Sequence, residues 1–370
     1  MTKYLPGAIS RRRFVSLVSL AALPAASLFL AGCPSSTSSS GGSGTAASTT
    51  APSESSPAAG GSPVAASNIK AGLVTDVGGI NDKSFNASAW DGLQKAGKEL
   101  GVQVKFTESK QNADYVRNLT QFARSGYDVV FALGFRMQDA LKEVAPRYPK
   151  VKFAIIDGDA PNLPNCTSYK FREEQGSYLA GALAGAMTKS NKVGFIGGEQ
   201  MPLIQKFQAG YAAGVKQTNP KAQVVVGYAQ SFVDAARGQE IAISQMGSGA
   251  DIIYHAAGNV GTGVIKAVQS KGAGFYAIGV DKDQDGDAPG RVLTSVVKHV
   301  DNAVFDVCKS VVDGSFKPTT VTLGLKEGGV SLSEMKYTKK DIPADVLTKI
   351  DGLKADIISG KITPPTTVTP

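Results

Sequence analysis

The residues best placed for chemistry stand where apolar runs stop. Asp157 follows Phe153-Ala154-Ile155-Ile156, and Asp281 follows Tyr276-Ala277-Ile278-Gly279-Val280. An ionised carboxylate only accepts hydrogen bonds, so an Asp at the end of a strand can hold a donor group of a bound molecule. Asp157 beside Gly158 reads equally as an Asx turn. In "GGINDKSFNASAWDG", residues 78–92, a strand-like run gives way to a helical pattern, with Phe85-Asn86 inside its first turn. An aromatic there is either a hydrophobic staple for the helix start or a surface for a ligand. Trp90 falls on the apolar stripe with Leu93, Ala96 and Leu100 and reads as core. Gly258, in "GNVGTG", lets backbone approach closely, and the G-x-G-x-x-G order of a dinucleotide site is missing.

Machinery for turnover is sparse. The chain has two histidines, His255 and His299, and neither sits in a metal-ligand spacing. No Ser nucleophile elbow occurs. "DKDQDGDAPGRV" spaces Asp281, Asp283 and Asp285 as a calcium loop would, but its twelfth position is Val292 instead of a bidentate Glu. The expectation is a binding protein without metal or cofactor, with a hydrolytic enzyme using the same carboxylates as the enzymatic alternative.

The elements that must position these residues follow one rhythm. Strands are read at 69–75, 102–106, 129–133, 152–157, 193–197, 224–228, 251–255 and 275–280. Helical patterns lie between most of them, at 84–100, 115–125, 138–148, 203–217, 234–246 and 261–271. Such alternation predicts an α/β fold of parallel sheets flanked by helices, with ligands at the carboxyl ends of strands. About 300 residues exceed one comfortable core, so two lobes joined by a hinge are expected. The boundaries read as 68–190 plus about 292–317 for the N-terminal lobe, 191–291 plus about 318–360 for the C-terminal lobe, and a tail at 361–370. Gly181 and Gly185, four apart, permit close helix packing.

Ahead of the fold, Arg11-Arg12-Arg13 precedes an apolar run that ends Leu30-Ala31-Gly32-Cys33. Basic, apolar and small-residue regions in that order make an export signal over 1–32, twin-arginine-like and ending in a lipobox. Cleavage before Cys33 and diacylation of its thiol would anchor the chain on the outer face of the cytoplasmic membrane. Residues 33–67 begin at Cys33 and are otherwise Ser, Thr, Gly, Ala and Pro apart from Glu54 and Val64, and they read as a tether. The formal charge of +8 falls to +4 once the signal is lost, with 35 basic residues against 31 acidic, and no basic cluster with interleaved aromatics remains for nucleic acid. Cys166 and Cys308 are free to pair or to stay as buried thiols.

The segments "GLVTDVGGINDKSFNASAWDGL", "FAIIDG", "VGFIGGEQMPLIQKFQAGYAAGV", "SFVDAARGQEIA", "AAGNVGTGVI", "IGVDKDQ" and "VLTSVVKHVDNAV" resemble, in order, the basic membrane protein family of lipid-anchored substrate-binding proteins. That resemblance implies a periplasmic-binding-protein type I fold that holds a purine nucleoside for ABC permease and ATPase subunits, and a monomer is expected. By the family's pattern, Phe85 and Asn86 contact the base and Phe232 supplies the second stacking ring, with Phe207 as the alternative. Asp157 would face the base edge, whereas Gly258, Asp281 and Lys298 would hold the ribose. A surface lysine is the plainer alternative for Lys298. A nucleoside hydrolase-like enzyme, or a ligand-sensing lipoprotein without a transporter, would use the same cleft.

Overall fold

The computed structural model describes residues 67–368. The export signal, Cys33 and nearly all of the tether lie outside the described residues. The strands are β1 (Lys70–Val74), β2 (Gln103–Thr107), β3 (Val129–Leu133), β4 (Lys152–Ile156), β5 (Cys166–Phe171), β6 (Lys192–Gly197), β7 (Gln223–Tyr228), β8 (Ile252–Ala256), β9 (Tyr276–Asp281), β10 (Val292–Lys298), β11 (Thr320–Leu323) and β12 (Val330–Leu332). The helices are α1 (Phe85–Leu100), α2 (Tyr115–Arg124), α3 (Gln138–Val144), α4 (Glu173–Met187), α5 (Pro202–Thr218), α6 (Ala235–Gly247), α7 (Val260–Lys271), α8 (Val300–Val312) and α9 (Ala344–Ile358).

Two six-stranded sheets form, in the orders β11-β5-β4-β3-β1-β2 and β12-β10-β9-β8-β6-β7. Every pairing is parallel except β10 with β12. The central strands β3 and β8 are buried along their whole length, as continuous apolar runs covered on both faces must be. In each sheet the strand order reverses beside the first strand, between β1 and β3 and between β6 and β8. Those reversal points open crevices at the strand ends.

Helix packing relies on missing side chains. A Cβ on Gly181 of α4 would sit 2.1 Å from the carbonyl oxygen of Tyr211 in α5, and one on Gly214 of α5 would sit 1.9 Å from that of Tyr178 in α4. A Cβ on Gly185 would sit 2.7 Å from Val215 O, so the spaced glycines of α4 bring two helices to backbone contact.

Three features depart from the sequence reading. β5 and α4 were not separate expectations: "CTSYKF" is neither an apolar run nor a regular alternation, and "EEQGSYLAGALAGAM" has no apolar stripe. The returning segments also exchange places. Val292–Lys298 pairs with β9 in the second sheet, while Thr320–Leu323 pairs with β5 in the first, the reverse of the expected division. α8 then packs on α1 of the first lobe, and α4 packs on α5 of the second, so the lobe boundary falls after β5 instead of near 190. The chain thus passes between sheets after β5, after β10 and after β11. The crossings are strapped together: Arg172 N–H donates to Leu323 O at 2.9 Å, and His299 N–H to Gly329 O at 2.9 Å. Cys166 on β5 and Cys308 on α8 are both free and buried.

Candidate functional site

A cavity enclosing about 710 Å³ of atom-free space, part of it open to solvent, lies where the carboxyl ends of the two sheets face each other. The first lobe contributes Asp76, Phe85, Asn86, Gly134, Arg136 and Asp157; the second contributes Phe207, Phe232, Gly258, Asp281 and Lys298. The eight residues read as candidate ligand contacts, Phe207 among them as the alternative ring, all line this cavity.

Its charged end is built around Lys298, which is 1% exposed. The ammonium bonds Asp157 Oδ2 and lies 3.2 Å from Glu173 Oε1. Three aromatic faces surround it, with Nζ 4.9 Å from the ring centre of Phe171, 5.3 Å from Phe85 and 5.8 Å from Phe207. Burial alone would depress this lysine, but Asp157, Glu173 and Asp281 together hold it protonated above its ordinary range. Burial raises Asp157 to about 6 against the pull of Lys298, and it raises Asp281 to about 6 in the same way. Asp281 also accepts from Ser84 Oγ across the cleft. Both aspartates have left-handed backbone, with φ of 61° and 65°. Such conformations cost a non-glycine residue energy and concentrate at functional sites. Asp157 Oδ1 is buried with no hydrogen-bond partner among the described residues, an acceptor left for something else.

Asp82 organises the start of α1 beside the cavity. Its two carboxylate oxygens accept from the backbone N–H groups of Ser84, Asn86 and Ala87 at 2.9–3.0 Å, capping α1 from outside the helix. Both amide protons of Asn86 are engaged inside the protein. Its amide nitrogen donates to Asp76 Oδ1 at 2.7 Å and to Asp82 Oδ2 at 2.9 Å, while its oxygen faces Asp76 N–H at 3.3 Å. Asn86, expected to contact a ligand, lines the cavity and holds Asp76 with its amide. Gly78 N–H also donates to Asp76 Oδ1, leaving Oδ2 as the freer acceptor.

Two aromatic faces come from opposite lobes. Phe232 lies over Gly198, where a Cβ would come within 2.2 Å of its ring, and Gly258 (φ 57°) passes beneath its backbone. Phe207 is 3% exposed and belongs to the core, whereas Phe232 is only half-buried. Arg136 and Glu199 pair across the cavity mouth. The sequence reading missed Asp76, Arg136 and Glu173. Asp76 stands two residues past β1, the same signal that flagged Asp157 and Asp281.

A family profile described as ABC transporter substrate-binding protein PnrA-like matches residues 69–366. The chain belongs to the Bmp family. Among its relatives, the CD4+ T-cell-stimulating antigen of Listeria innocua is 41% identical over 325 residues, covering 82% of this chain and 90% of its own. The ABC transporter nucleoside-binding protein BmpA of Lactococcus lactis is 39% identical over 326 residues, covering 83% and 92%. An ABC solute-binding protein of Aeropyrum pernix has a similar structure, with a TM-score of 0.76, 31% identity and coverage of 81% and 94%. The periplasmic-binding-protein architecture of the Bmp family is thus this chain's architecture.

Lys298→Met should cost about 3–5 kcal/mol in urea unfolding at pH 7.5, because it leaves buried carboxylates without their cation. The cost should shrink at pH 5, below the value of about 6 for Asp157 and Asp281, where those groups take up protons and need no partner. An equal cost at both pH values contradicts this electrostatic role.

Proposed function

We propose that this Bmp family member captures a purine nucleoside between its lobes and delivers it to an ABC importer. The observation that carries the reading is the pair Phe85 and Phe232, one from each lobe, lining the same cavity beside buried acceptors. A heterocyclic base presents a flat face that such rings can stack on for roughly 1–3 kcal/mol each. The name of the Lactococcus lactis relative supports the same ligand class.

The charged end suits ribose. Vicinal hydroxyls can donate to Asp157 Oδ1 and to Asp281 and accept from Lys298, and a neutral polyol adds no charge to the cluster. Asp157 was expected at the base edge; its ion pair with Lys298 beside Asp281 supports placing it at the sugar in this reading. Asp76, held by Asn86, then takes the base edge, where an acceptor-only carboxylate favours the N1–H of guanosine or inosine. Adenosine presents a lone pair at N1 but retains its 6-amino donor. A nucleotide would bring phosphate towards Asp157, Asp281 and Glu173 with Lys298 already engaged. Turnover has no part in this reading, since His255 is fully buried and bonded to Gln284.

Calorimetric titration of ligand-stripped protein should rank guanosine or inosine first, adenosine near or below them, and free bases, pyrimidine nucleosides and nucleotides well behind. Phe85→Ala should weaken the best ligand about tenfold or more, with melting temperature nearly kept. Tight binding of a nucleotide or of free guanine sinks the ribose assignment.

The export signal and Cys33 extend the proposal to a lipid-anchored protein on the outer face of the membrane, acting with permease and ATPase subunits. Cys33→Ala should leave the precursor uncleaved or release the protein from the membrane fraction. Processing and membrane retention unchanged from wild type would exclude the anchor.

A further inference from the structure

Besides the buried Lys298–Asp157 and Ser84–Asp281 contacts, which join the lobes at the cavity itself, the lobes meet outside it, and one of those outer contacts is also buried. Lys83–Asp287 and Lys282–Asp91 are ion pairs on the rim whose side chains are 27–59% exposed. Exposed pairs of this kind contribute little and are screened by salt. Gln284, in contrast, is 3% exposed and does not line the cavity. Its side-chain nitrogen donates to the carbonyl of Lys83 in the facing lobe at 3.2 Å. Its oxygen accepts from Val280 N–H at 3.0 Å, one residue before Asp281, and lies 3.0 Å from His255 Nε2. Its backbone N–H donates to Ser295 Oγ at 3.0 Å.

The backbone fixes which way the amide points. Val280 N–H requires the oxygen and Lys83 C=O requires the nitrogen, so a flipped amide would lose both bonds. The same orientation makes His255 the Nε2–H tautomer, and burial keeps it neutral by pushing its pKa down to about 4. Two glycines make room for the pair. A Cβ on Gly279 would sit 2.5 Å from Gln284 Oε1, and a Cβ on Gly261 would sit 2.0 Å from the His255 ring.

We propose that Gln284 is a positioning residue for closure: its amide joins the strand end that carries Asp281 to the Lys83 carbonyl of the opposite lobe, and so sets how long a ligand is retained. For its ligand, this inference rests on the nucleoside reading; for closure it does not.

Gln284→Glu tests it, because a carboxylate can still accept from Val280 and His255 while its second oxygen faces the Lys83 carbonyl with no proton. Trp90, the single tryptophan, borders the same depression as Lys282 and Gln284 and reports on closure. In stopped-flow fluorescence with inosine, dissociation should be about tenfold or more faster, with association changed by less than about threefold. Asp287→Asn, which removes only a rim ion pair, should dissociate within about twofold of wild type. If Gln284→Glu does not fold, Gln284→Asn, one methylene too short to reach Lys83, replaces it. Small-angle scattering of ligand-stripped protein should show a larger radius of gyration for the variant. Should wild type bind no nucleoside, the nucleoside reading falls and scattering alone decides: a wild-type radius overturns the inference. Where inosine does bind, dissociation as slow as wild type overturns it.

Discussion

One buried ammonium organises the centre of this molecule. Lys298 ends β10, the strand from which the chain crosses back to the first lobe. Its partners come from elsewhere: Asp157 from the end of β4 in the first sheet, Glu173 from the start of α4 at another crossing. Glu173 also reaches Lys206 of α5 at 3.2 Å. Removing one member of such a group leaves uncompensated charge in a low-dielectric interior, which is far more costly than losing an exposed pair. The crossings and the ligand end of the cavity therefore share one electrostatic constraint.

That constraint limits what can occupy the cavity. The cluster holds more carboxylate than ammonium, and both Asp157 and Asp281 already titrate near 6 because they are buried. Another anion would add to a site that barely tolerates its own. A neutral molecule with hydroxyl donors at one end and a flat face at the other meets the acceptors and the rings without new charge. The left-handed backbone of Asp157 and Asp281 fits the same purpose. It places the two carboxylates at equivalent ends of two sheets, at an energy cost that the surrounding hydrogen bonds and parallel ladders must offset.

Much of this was legible in the chain. β3 was read with the observed limits, and most other strands within one residue or so, because parallel strands buried on both faces are apolar runs. The cavity residues were legible for a related reason: side chains just past those runs must face the cleft. What escaped depended on partners far away in sequence. Nothing in "SFNAS" shows that both amide protons of Asn86 are taken by Asp76 and Asp82. Nothing near Asp157 shows that Lys298, 141 residues later, claims it. β10 and β11 were assigned to the wrong sheets because short returning segments carry no local mark of the edge they join. Glu173 looked like an ordinary first-turn helix acid, yet it is completely buried.

The central claim is that the cleft holds a neutral purine nucleoside, and the most direct measurement is mass spectrometry of small molecules released on denaturing the protein purified without added ligand. A purine nucleoside, present in proportion to protein and lost from an Asp157→Ala, Asp281→Ala double variant, is the predicted result. A sugar, an amino acid or a nucleotide recovered in its place would contradict the assignment.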